Sequence, residues 1–142
     1  MRIKKSIIAV LSIVAIMSTM VCSAFAATPR TRTNFNFWLK GNDSQSSLGG
    51  WGTKSDSDAA AYVQPTPSDS NLTSANATVN LRVRTADDEP ASNLTQVSSY
   101  PTTYWYLYYF DGSNIAGRNY KLYANVESAS VYPVYIRGIW IP

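Results

Sequence analysis

Beyond its first 26 residues the chain is organised by period-two alternation of apolar and polar side chains. Successive side chains of an extended backbone point to opposite faces, so such alternation predicts half-buried strands. Residues 34–39 place Phe35, Phe37 and Leu39 on one side and Asn34, Asn36 and Trp38 on the other. Residues 76–84 place Val79, Leu81 and Val83 inward, with Asn80, Arg82 and Arg84 outward. Residues 118–126 align Tyr120, Leu122, Ala124 and Val126. Residues 132–140 align Tyr132, Val134, Ile136 and Trp140, and Pro133 argues that this strand begins at a sheet edge. Shorter strands are predicted at 59–64, through Tyr62 and Val63, and at 94–99. Residues 104–110 are wholly apolar or aromatic and run into Asp111-Gly112, a turn signal. Between these lie a glycine-rich polar loop at 41–52, a Pro/Ser/Asn loop at 65–74 and an acidic turn at 86–90. No helical periodicity or internal repeat interrupts the pattern. Six or seven short strands in one domain's length predict an all-β fold, an antiparallel β-sandwich, with a small closed barrel as the alternative.

The first 26 residues have a different character. Arg2, Lys4 and Lys5 precede a mostly apolar run over 7–21, and Ala24-Phe25-Ala26 offers small residues at the two positions a signal peptidase reads. The run is short for a membrane span, which takes roughly 20 apolar residues. The expectation is a helical secretory signal, 1–26, cleaved after Ala26, followed by a single β-sandwich domain, 27–142, that is secreted and extracellular. Removing the signal changes the charge balance. The whole chain carries 12 Lys and Arg against 9 Asp and Glu, and three of the basic residues leave with the signal. The rest has no net side-chain charge, so no nucleic-acid partner is expected. The single cysteine, Cys22, also lies in the signal; Val21 before it and Thr19 depart from a lipid-attachment pattern, so no stable membrane anchor is expected. The domain must then stand on core packing without disulfides.

Missing residue types exclude much chemistry. The chain has no histidine, which removes Ser-His-Asp and Cys-His catalysis and His-ligated metals. Asp56-Ser57-Asp58 and Asp87-Asp88-Glu89 offer oxygen ligands of the kind calcium takes, but neither has EF-hand spacing and both read as solvated loops. The expectation is a protein that is not an enzyme, with no catalytic residues, no metal and no cofactor.

The positive signal is aromatic. Alternation splits the 104–110 strand into Trp105, Leu107 and Tyr109 on one face, and Tyr104, Tyr106, Tyr108 and Phe110 on the other. One face serves the core. The second is either covered, by a loop or by Arg82 or Arg84 as cation–π partners, or is an exposed row of rings able to stack on sugars or pack against a membrane or a partner protein. Trp51, amid glycines, reads equally as a ligand-facing ring or a plug, and Trp38 is grouped with it. The ligand-binding set is therefore Tyr104, Tyr106, Tyr108 and Trp51, with Arg82 and Arg84 beside them.

Three segments carry a resemblance: Arg82-Val83-Arg84, Tyr120-Lys121-Leu122-Tyr123, and Ile136 to Pro142. With the signal and the Tyr-rich strand, they resemble small secreted proteins of uncharacterised families in Gram-positive bacteria. The chain is loosely similar to lactococcin-type bacteriocins, from which it departs in length and in its aromatic C-terminal motif. The resemblance implies a protein acting at or near a bacterial cell surface by binding a cell-wall glycan or a surface protein. The alternative is a bacteriocin-like antibacterial toxin. A purely structural matrix protein is a third reading.

Overall fold

The computed structural model describes residues 29–41, 44–46, 51–127 and 130–142. The expected signal segment lies outside them. In chain order the strands are β1 (Thr33–Gly41), β2 (Ser44–Ser46), β3 (Gly52–Thr53), β4 (Ala60–Pro65), β5 (Val79–Thr85), β6 (Thr95–Val97), β7 (Trp105–Tyr108), β8 (Asn119–Val126) and β9 (Ser130–Ile141). They form two antiparallel sheets. One has the order β1-β9-β4-β7; the other runs β2-β8-β5-β6, with β3 also pairing β8. Among the described residues the only helical element is a 3₁₀ turn, Pro67–Asp69.

One core serves both sheets. Phe35, Phe37 and Leu39 of β1, Val63 of β4, Leu107 of β7 and Ile136 and Trp140 of β9 share a buried cluster with Leu81, Val83, Tyr120 and Leu122 of β5 and β8. These alternating positions are thus buried where the pattern put them, with Tyr132 and Asn80 as exceptions. Large aromatic rings supply much of the buried area.

The sheets are also joined by hydrogen bonds along one edge. Residues 90–93 lie between β5 and the end of β7, bridging Arg84 to Pro90 and Ser92 to Tyr109. Ala91 N–H donates to Val83 O at 2.9 Å, and Phe110 N–H donates to Ala91 O at 3.0 Å. The Ser92 hydroxyl accepts from Val83 N–H at 2.9 Å. This stitched edge is a barrel-like feature on a two-sheet architecture.

β9 is paired differently along its length. β1 runs beside it from Trp140 back to Ser130. β4 pairs only with Gly138 to Ile141. Pro133 therefore sits where, among the described residues, one side of the strand has no neighbouring strand, in keeping with its missing N–H. The 66–76 loop covers that side instead. Asn71 accepts from Tyr135 N–H at 2.8 Å and donates to Pro133 O at 2.9 Å. Ser70 Oγ accepts from Arg137 N–H at 3.0 Å.

Several expectations need correction. The 41–52 loop contains β2 and starts β3, both held on β8. Asn80 does not face solvent; it is buried, flanked in register by Gln96 and Asn125, with its amide donating to the Glu127 carboxylate. Tyr132 is 69% exposed, because it precedes the part of β9 that covers the core. Asp111-Gly112 does form a turn, with Gly112 at φ 74°, a conformation glycine adopts without strain. It leads from β7 in one sheet to β8 in the other rather than closing a hairpin.

Candidate binding face

β7 is the edge strand of its sheet, and its alternation is realised. Trp105 and Leu107 are buried, as is Tyr109 just beyond the strand, whereas Tyr106 is 43% and Tyr108 57% exposed, with Phe110 exposed and Tyr104 partly so. Tyr106 stands directly across from Tyr62 of β4. Three rings then meet edge to face. The centroids lie 5.4 Å apart for Tyr62–Tyr106, 5.8 Å for Tyr62–Tyr104 and 6.5 Å for Tyr104–Tyr106. Such tilted contacts match the positive ring edge to the negative ring face.

The segment leading into β1 lies beside these rings. The Arg30 guanidinium sits 4.8 Å from the Tyr62 ring centroid. Its Nε pairs with Asp56 at 3.0 Å, and it also pairs with Asp58. The Tyr62 hydroxyl donates to Asp58 at 3.0 Å. Asp56 in turn accepts from Lys54 Nζ at 3.1 Å. Lys54 is fully buried; its ammonium also reaches Pro142 O at 3.4 Å and lies 4.7 Å from the Tyr109 ring centroid. A polar chain thus runs from the core to the aromatic face, with two cations balancing two carboxylates. Burial works against ionised Asp56, but the Asp58 N–H together with Lys54 and Arg30 outweighs it and holds the carboxyl below its ordinary value. Burial pushes the Tyr62 hydroxyl up. Pro29, Arg30, Arg32, Ile141 and the three tyrosines enclose a groove of ≈ 420 Å³.

The remaining expected site residues lie elsewhere. Arg82 and Arg84 are on β5, in the other sheet, and do not flank the tyrosine row. Arg84 lies 4.2 Å from the Tyr123 ring centroid and 3.3 Å from Asp88. Arg82 is paired in register with Tyr123. Trp51 is 49% exposed, with Lys121 Nζ 5.4 Å from its ring centroid. Lys121 also pairs with Asp88 at 2.7 Å, which holds the Asp88 carboxyl below its usual value. Trp51, Arg82 and Arg84 thus belong to a second patch. Trp38 does not join Trp51; it stacks on Tyr135 at 5.6 Å in the first sheet. Three of the carboxylates considered for calcium are engaged by cations: Asp56 and Asp58 by Lys54 and Arg30, Asp88 by Arg84 and Lys121. Among the described residues no group of three or more acidic, Cys or His residues is placed to hold a metal ion.

Tyr62 and Arg30 are the residues that sequence reading missed. Alternation in 59–64 does put Tyr62 opposite Val63, but only the β4–β7 register makes it a neighbour of Tyr106. No protein-family model, curated protein or solved structure matches the chain.

Proposed function

We propose that the chain is a secreted, non-enzymatic binding protein that acts at a bacterial cell surface, with the face of Tyr104, Tyr106 and Tyr108 stacking on cell-wall glycan. In this reading residues 1–26 direct export and are removed, and the two sheets pack as a sandwich that serves as a rigid platform. The supporting observation is the division of labour on β7: one face completes the core, while Tyr106 and Tyr108 remain 43% and 57% exposed. Exposed aromatic rows on soluble domains mark interaction surfaces more often than chance, and pyranose rings offer flat C–H faces for such rows to cover.

The test is sedimentation of the secreted form with isolated peptidoglycan and with whole Gram-positive cells, growth being followed in parallel. Replacing Tyr104, Tyr106 and Tyr108 together by alanine should weaken binding at least about tenfold, roughly 1.4 kcal/mol, with the melting transition retained. Unchanged binding by a folded triple variant refutes the assignment. Killing by the wild-type protein would instead favour the bacteriocin-like toxin.

A further inference from the structure

We infer that the groove beside Tyr62, Tyr104 and Tyr106 takes a carboxylate-bearing saccharide, with Arg32 as the contact for its carboxylate. The inference rests on the glycan-binding reading above and names the class of glycan. The argument is one of charge and of unused donors. The groove holds two guanidinium groups in unlike situations. Arg30 is committed to Asp56 and Asp58. Arg32 is exposed and has no acidic residue within ion-pair distance among the described residues. With the Lys54–Asp56–Arg30–Asp58 chain internally balanced, Arg32 is the one uncompensated charge lining the groove.

The hydroxyls divide in the same way. Tyr62 spends its proton on Asp58. The Tyr104 and Tyr106 hydroxyls have no hydrogen-bond partner among the described residues and remain available to sugar hydroxyls. The groove's ≈ 420 Å³ falls in the range of roughly 300–1,000 Å³ usual for small-ligand sites. A guanidinium presents a planar fork that matches a carboxylate in two parallel hydrogen bonds. A uronic acid or related sugar carries that carboxylate beside a pyranose face able to lie on Tyr106. A polyol-phosphate polymer supplies the charge without the ring.

The experiment compares two probes of equal ring number, cellotetraose and its C6-oxidised tetraglucuronate, by calorimetric titration of the secreted protein. The glucuronate should bind about tenfold more tightly at low salt, and about 1 M NaCl should abolish the difference. R32A should bring the two affinities together, and R32K should keep part of the preference. Arg32 is exposed ahead of β1, and a melting curve for each variant checks folding. Equal affinities in the wild type, or a preference that survives in R32A, overturn the inference and leave glycan binding standing. Binding of neither probe, with peptidoglycan sedimentation indifferent to the tyrosines, removes the glycan-binding reading and the inference together.

Discussion

Single residues here are constrained by backbone proximity as much as by packing. A Cβ on Gly138 would lie 2.1 Å from Gln64 O, where β9 first pairs with β4. A carbonyl fixed in a central strand pair cannot yield as a side chain can. Gly138→Ala should therefore cost about 2–3 kcal/mol, read as a lower urea midpoint with unchanged slope. A midpoint equal to wild type would show that the strands can separate there. That Tyr104, Tyr106 and Tyr108 share one face of their strand was legible from alternation; that Tyr106 and Tyr108 stand exposed on it was not, because alternation alone does not say which face is covered. Lys54 was not: lysine is almost never fully buried, and only the meeting of Asp56, Tyr109 and Pro142 around it makes the position tolerable.

At the scale of elements, the long strands were readable because each repeats its alternation several times. β2 and β3, with three and two residues, are too short to show a period, and they form because β8 offers them an edge. A loop was legible at 65–74 from its Pro, Ser and Asn content, but its extent to residue 76 and its work were not. It buries Leu72 in the core and replaces a missing strand beside β9 with Asn71 and Ser70. Asn71→Ala should destabilise by about 1–3 kcal/mol, since it leaves Tyr135 N–H without its acceptor. Asn71→Asp retains an acceptor but loses the donor to Pro133 O and should fall between Ala and wild type. Thermal melts of the three proteins check this order, and an alanine variant as stable as wild type would refute the bracing role.

For the whole molecule, the decisive trait is which groups titrate together with folding. Asp56 ionises more readily in the folded chain than at its ordinary 3.8. Its contribution is complete above that value and is lost as pH falls through the lower, folded one. Tyr62 and Tyr109 are both pushed up from 10.0, mainly by burial. Their contribution is complete below pH 10 and declines as pH rises further, because the unfolded chain then releases protons that the folded one retains. The chain has no histidine, the side chain whose ordinary pKa lies nearest neutrality. The melting temperature should therefore be level from about pH 5 to about pH 9 and fall on both sides. A step near neutral pH would contradict this assignment. The stitched edge at 90–93 belongs to this scale too. Alternation along single strands cannot reveal it, because it joins two sheets through four residues that lack a strand pattern of their own.

The burial of Lys54 also gives the protein a chemical clock. Lys40, Lys54 and Lys121 are the lysines that follow residue 26. An amine-acylating reagent meets Lys40 at the surface, but it can reach Lys54 only when the ends of β7 and β9 part from the residues after β3. The rate at which Lys54 is modified, measured by peptide mass spectrometry against Lys40 as reference, therefore reports how often that end of the molecule opens. Modification of Lys54 as fast as Lys40 under native conditions would mean that the ammonium is not enclosed in solution.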